Sequence, residues 1–408
     1  MQVNKIQFQK SGYINKTILY SCVVTLILLL QNGFFKNYPI VLLFVPIFFS
    51  RLKVSLKLGK LELVMLLYML YLFVITMINF PSNYDIKYTI NLFAQYTIIY
   101  ICTKIQIDEI NFDMFLIFLK KLGIVNGLLC IIEAICKKNV WAIALGKASE
   151  IPDGRVVGIF SHPIICGCFL MMTYVISIIY KERKISKQIF DVGVILGAIV
   201  LTKSRSTWIA TAFVTMLFVM KFHKNKINKK YVEYMLIIIA IVLTGSILMN
   251  INILEIVVDF INARIKGSLQ AGEGHIVRIE IILSSIEYWR NHLVNMIYGR
   301  GKNYGLIFLK ENPVIKFGTF VWDSAIDNQY ITLIHETGLI GLGLILYIIA
   351  TFIKRYFLCK RSDGVQLVSS LIMIGNSICM FFFEGFQYPV LVLFYVLFIM
   401  MSDRAARQ

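Results

Sequence analysis

Apolar runs close to 20 residues long recur from one end of the chain to the other, each closed by a short cluster of Lys, Arg, Asn or Asp. A helix of that length crosses the roughly 30 Å hydrocarbon core of a bilayer. The pattern predicts about twelve spans, near residues 17–31, 34–50, 61–80, 87–103, 114–136, 164–180, 187–202, 206–222, 233–250, 326–350, 365–384 and 388–401. The fold expected is an all-α polytopic membrane protein, a single transmembrane domain over 1–408. The first apolar run is not followed by a small-residue cleavage site, so it reads as a retained helix rather than a signal peptide.

Composition agrees. Of the 408 residues, 58% are apolar and only 16% charged, against about 25% charged in soluble domains. The net charge of +18 would suggest nucleic acid in a soluble protein, but its distribution argues otherwise. About 25 of the 41 Lys and Arg fall in alternate short loops, which leaves those loops near +16 and the others near +2. By the positive-inside rule the basic loops are cytoplasmic, and both termini with them. The excess then serves topology and anionic membrane lipids, and no nucleic-acid partner is implied. The eight cysteines are scattered without CxxC or Cys/His spacing, so neither a metal site nor a disulfide framework is expected.

In this topology two outer loops are not short: 137–163 and, between the ninth and tenth spans, a large loop at 251–325. The second contains helical patterning in "IVRIEIILSSIEYWRNHLVNMI" (276–297), read as an amphipathic helix near the outer surface, then the turn "YGRGKNYG" (298–305). The cytoplasmic side offers no GxxxxGK[ST], no strand followed by GxGxxG, and no DxD. Chemistry, if present, is expected on the outer face, with a donor carried by lipid rather than by a nucleotide.

Four stretches place polar chemistry there. In "DGRVVGIFSHPIICG" (153–167), Arg155 precedes a span that starts at His162-Pro163; it is either an interfacial snorkelling side chain or an anion ligand. In "LTKSRSTWIA" (201–210), Lys203 and Arg205 occupy a very short outer turn, against the positive-inside trend, and a guanidinium there can grip phosphate oxygens in a fork. In "GEGHIVRIEIILSSIEYW" (272–289), Arg278 stands near the start of the surface helix, while Glu280 and Glu287 read as a solvated face. In "SAIDNQYITLIHETGLIGLG" (324–343), Asp327 and Asn328 stand at the helix mouth and His335 and Glu336 lie deeper. At 100° and 1.5 Å per residue, His335 is about 12 Å along and about 80° around from Asp327, so the two do not form one dyad. Asp327 is either a helix cap or a reactive carboxylate. His335 and Glu336 are expected to face the protein interior. Gly338, Gly341 and Gly343 are read as helix-packing positions.

Taken together, "GRVVGIFSHP", "LTKSRSTWIA", "VRIEIILSSIEYW…IYGRGKNYG" and "DNQYITLIHETGLIGLGLILYI", in that order, resemble the O-antigen ligase and Wzy-type O-antigen or capsule polymerase superfamily over roughly residues 150–350. The resemblance implies a GT-C-like membrane glycosyltransferase of the plasma (inner) membrane. It implies a polyprenyl-diphosphate-linked oligosaccharide as substrate, a site on the extracytoplasmic face, no metal and no cofactor. Arg205 and Arg278 match the family's two arginine positions and Arg155 a further basic one, so all three are expected to hold the diphosphate. At the head of the span after the large loop, ligases typically carry His-Asn; here it is Asp327-Asn328, which fits the polymerase branch. Asp327 is then the expected general base, with Asn328, His335 and Glu336 in support. A chain-length regulator is a further expected partner. Ligase-type transfer to another acceptor, and a flippase for lipid-linked glycan, stand as alternatives.

Overall fold

In the computed structural model the residues described are 58–79, 111–139, 154–222, 273–316, 320–322 and 325–407, with isolated helical positions between 93 and 104 and at 143. The expected spans at 17–31, 34–50 and 233–250 lie outside them, as does the first part of the large loop.

Eight of the remaining expected spans correspond to helices. These are α1 (Lys60–Ile78), α2 (Phe112–Cys136), α3 (Pro163–Ile179), α4 (Ile185–Leu201), α5 (Arg205–Phe222), α9 (Gln329–Leu358), α10 (Gly364–Cys379) and α11 (Pro389–Ala405). Within the large loop come α6 (Glu273–Asn291), α7 (Leu293–Tyr298) and α8 (Tyr304–Glu311). A small antiparallel hairpin follows, β1 (Val314–Lys316) paired with β2 (Phe320–Trp322). The chain is thus helical but not purely so. Three helices, α1, α2 and α9, are long and apolar enough to cross a membrane, and α3 and α10 are shorter apolar helices. Together they make this an integral membrane protein of several spans.

Local sequence explains the helix ends. Pro163 and Pro389 each open a helix, where the missing N–H costs nothing. Asn111, Asn328 and Asp363 cap α2, α9 and α10 by accepting backbone N–H bonds. Asp403 on α11 reaches across to accept from Leu61 N at 2.8 Å and Glu62 N at 3.0 Å, so one helix caps another.

Packing follows the apolar faces: α2 lies against α3 and α4, α10 against α5, α9, α11 and α3, and α9 against α1. The core runs through Phe115, Phe169, Phe352, Phe394 and Phe398. A second, small core of Ile281, Tyr304, Phe308, Leu309 and Ile326 belongs to the large loop and seats it on α9.

The seating depends on a break in α9. Gly338 has φ +62 and ψ −169, non-helical values that kink the 30-residue helix. The kink frees the carbonyls of His335 and Glu336 from their helical donors, and the glycine-rich turn supplies replacements. Arg300 N donates to His335 O at 2.9 Å and Gly301 N to Glu336 O at 2.8 Å. The approach is so close that a Cβ on Gly299 would stand 2.5 Å from Glu336 O, and one on Gly338 would strike the Ile297 carbonyl. Gly338 therefore makes the kink and admits the loop, rather than packing two spans together. Among the described residues, the atoms nearest a Cβ on Gly341 belong to Thr337 of its own helix, and none lies within 4 Å of one on Gly343.

Candidate functional site

The expected residues gather at one end of the helix bundle, around three chain reversals. The first is the strap 154–162 that leads into α3. It is held from below by α2: Glu133 Oε2 accepts from Val157 N at 3.0 Å and Gly158 N at 2.9 Å, and Asn126 Oδ1 accepts from Ile159 N at 3.0 Å. Gly158 has φ +57, and a Cβ there would collide with the Asn126 amide. A backbone donor of this strap left without an acceptor would be costly, so the buried Glu133 and Asn126 fix its course.

The second reversal is the turn Thr202–Ser204 between α4 and α5, with Lys203 at φ 51 and Arg205 as the first residue of α5, exposed. The strap and this turn touch. Arg155 Nε donates to Thr202 O at 3.2 Å, and Lys203 Nζ lies 3.2 Å from where a Cβ on Gly154 would stand. Arg155 and Lys203 are thus brought together by two segments 47 residues apart, with Arg205 two positions beyond Lys203 at the start of α5. At a helix N-terminus such a group also benefits from the positive end of the helix dipole for any anion it holds.

The third is the entry to α9. Asp327 adopts φ +55, the left-handed region, and its Oδ2 accepts from Arg278 Nη2 at 2.9 Å. Both side chains are partly open to solvent, at 37% for Arg278 and 26% for Asp327. Asn328 takes the capping role, its Oδ1 accepting from Tyr330 N at 3.0 Å and Ile331 N at 3.2 Å. Asp327 is therefore not the cap: its carboxylate turns to the arginine of α6 instead.

His162 lies between the groups. Its Nδ1 accepts from Ile164 N at 3.2 Å and its ring stacks on Phe383 at 5.3 Å. Burial and the Arg155 charge depress its pKa to about 4, and the Asp327 carboxylate acts in the opposite direction. One imidazole thus senses both the strap arginine and the α9 carboxylate. The sequence reading treated His162 as a helix start only; its stacking on Phe383 comes from a distant turn and leaves no local signal.

His335 and Glu336 are both buried to 1% exposure. Asp327 stands outside α9, so the helix-geometry argument does not relate it to His335; the two have different partners, Arg278 and Ser285. His335 Nε2 pairs with Ser285 Oγ at 2.9 Å, and its ring sits among Phe308 at 4.3 Å, Trp289 at 4.9 Å and Tyr288 at 5.9 Å. Glu336 receives both oxygen contacts of Lys302 Nζ at 3.0 Å, and Asn303 N at 2.8 Å. Their partners come from the large loop, not from another span.

Lys302 and Glu384 are buried charged groups that the sequence pattern does not single out. Lys302 is hidden in "YGRGKNYG". The expected span 365–384 would have ended on Glu384, but α10 stops at Cys379 and Glu384 lies in the turn to α11. A single acid between two apolar runs was the available signal.

Among the described residues, no three or more His, Cys, Asp or Glu side chains come together as a metal site. The arrangement offers what a phosphate-bearing ligand needs, cations on a strap, a turn and a helix start, and a partly accessible carboxylate at the mouth of α9.

No curated protein matches the chain closely enough to serve as a relative. The family model described as O-Antigen ligase, Wzy_C, matches residues 192–346, a stretch from α4 into α9 that contains Arg205, Arg278, Lys302, Asp327, His335 and Glu336 and leaves Arg155, His162 and Glu384 outside. Over that stretch the chain carries a Wzy_C domain, the domain of the O-antigen ligase and polymerase family.

Proposed function

We propose that the protein is a polysaccharide polymerase. It joins oligosaccharide repeat units carried on polyprenyl diphosphate into an O-antigen or capsule, at the extracytoplasmic face of the plasma membrane, with both termini in the cytoplasm and without a metal. The observation that carries this reading is the Arg278–Asp327 pair at the mouth of α9, 2.9 Å apart and partly open to solvent.

In the proposed reaction an acceptor sugar hydroxyl attacks the anomeric carbon of the donor. The bond from that carbon to the diphosphate oxygen breaks, and the diphosphate leaves on its polyprenol. Arg205, Arg155 and Arg278 stabilise the charge that develops on the leaving group. Asp327 takes the proton of the attacking hydroxyl. The resting pair suits this order of events: an arriving diphosphate competes for Arg278, and the carboxylate released from it faces the acceptor. Asn328 fixes the helix start, while His335 and Glu336 hold the large loop in place behind Arg278.

The ligase reading rests on the description of the matched family, and one experiment separates the two. Purified protein in lipid is given a polyprenyl-diphosphate-linked repeat unit from the native cells, with EDTA and no nucleotide. A ladder of products on a gel supports the polymerase. Transfer only to an added acceptor glycan supports the ligase. Passage of intact substrate across the bilayer with no new bond refutes both and supports a flippase.

A further inference from the structure

Glu384 lies in the turn between α10 and α11 and is 5% exposed. Its Oε1 accepts from Ile326 N at 2.9 Å and from Thr332 Oγ1 at 3.0 Å. Its other oxygen accepts from Gln387 Nε2. The same turn is stitched to the head of α9 twice more, by Gln329 N to Met380 O at 2.9 Å and Phe386 N to Gln329 Oε1 at 2.8 Å. Ile326 is the residue immediately before Asp327, whose φ of +55 is disfavoured for a side chain with a Cβ and so needs restraint on both sides. After Asp327 the restraint is the Asn328 cap; before it, it is Glu384.

A buried carboxylate is an expensive way to tie down a loop. Among the described residues no cation pairs with Glu384 at ion-pair distance. Burial and the nearby Glu336 charge push its pKa to about 7, against the opposing pull of Thr332, Ile326 N–H and Lys302. An apolar side chain would pack the turn without that cost, but it could not accept the Ile326 N–H. What the carboxylate adds is a fixed position for the Ala325–Ile326 peptide, one residue before Asp327.

We infer that Glu384 is a positioning residue of the site, acting through the Ile326 peptide to set where the Asp327 carboxylate stands. The inference rests on Asp327 being the proton acceptor. A displaced base slows the chemical step and leaves donor affinity, which belongs to the arginines, unchanged.

The test is the lipid-linked repeat-unit assay with E384A, E384D, E384Q and D327N, each checked for folding by thermal shift. E384A removes the acceptor, and E384D withdraws it by one methylene; each is expected to lower kcat by roughly 30-fold or more with donor KM within about threefold. E384Q keeps an acceptor oxygen and is expected to restore most of the lost turnover. If E384A does not fold, E384D decides. Wild-type kcat in both, a loss carried by KM, or an E384Q as poor as E384A overturns the inference. D327N distinguishes the two claims: full activity there sinks the proton-acceptor reading itself, whereas an inactive D327N beside a fully active E384A and E384D sinks only the role of Glu384.

Discussion

Lys302 Nζ stands 3.0 Å from each carboxylate oxygen of Glu336, with both side chains all but sealed from solvent, at 2% and 1% exposure. The pair joins the glycine-rich turn of the large loop to the kinked segment of α9, and Lys302 N adds a bond to Thr76 Oγ1 of α1 at 2.9 Å. Through it the loop that carries Arg278 is anchored to two spans.

Removing one partner leaves the other charge buried alone. Lys302→Met is therefore expected to destabilise the protein by about 3–5 kcal/mol. The combination with Glu336→Gln should recover part of that loss, because no bare charge remains. Thermal unfolding in detergent of the single and double variants checks both statements; equal losses in the two would contradict them.

Gly338 must be glycine, for its positive φ and for the Ile297 carbonyl beside it. Gly338→Ala is expected to cost about 1–2 kcal/mol from conformation alone, and more from the collision. Gly343, with nothing among the described residues within 4 Å of a Cβ there, is the control. Gly343→Ala should be neutral or stabilise by about 0.5–1 kcal/mol, the usual helix-interior difference. Melting temperatures of the pair read this directly.

Asp327→Asn keeps size and hydrogen-bonding atoms but gives up the basic carboxylate. Loss of a general base costs about 10²–10⁴ in rate, so polymer should all but vanish while the protein still folds and inserts. Immunoblots of surface polysaccharide beside a membrane-fraction blot of the protein test it. Undiminished polymer would remove Asp327 from the mechanism.

Arg205→Lys retains charge at the first position of α5 but not the planar fork. If the guanidinium grips the diphosphate by two parallel bonds, turnover should fall well beyond what a conserved charge allows. Donor titrations of the variant should show the loss. A Lys variant indistinguishable from wild type would reduce Arg205 to a general electrostatic role.

Two shifted groups outside the spans predict opposite pH dependences of stability. Glu384 has its folded pKa raised from 4.5 to about 7, so the folded state holds the extra proton. Its contribution is present below pH 4.5 and is lost as pH rises towards 7. His162 has its folded pKa lowered from 6.5 to about 4. Its contribution is present above pH 6.5 and is lost as pH falls towards 4. With Lys302 and Glu336 facing Glu384 left intact, E384Q should abolish the decline between pH 4.5 and about 7, and His162→Asn should flatten the rise between about pH 4 and 6.5. Melting curves across both windows are the measurement.

The sequence by itself determined the spans it could count, because burying a helix in hydrocarbon demands about 20 apolar residues and nothing else produces that pattern. It located α1, α2, α9 and five other helices, although α9 runs on to Leu358, beyond the expected 350, and α10 stops at Cys379, short of 384. It marked Arg155, Arg205, Arg278 and Asp327 as charges in or beside apolar runs, and the resemblance implied their roles. What it could not determine was pairing across long separations. The Arg278–Asp327 and Lys302–Glu336 pairs, the seat of Arg155 on Thr202, and the hold of Glu384 on Ile326 each join segments that no periodicity relates. Nor could it tell that Gly338 breaks α9, since a glycine in an apolar run reads equally as a packing position. Only the tertiary structure decided that, by bringing a second backbone so close that the helix had to open its carbonyls to it.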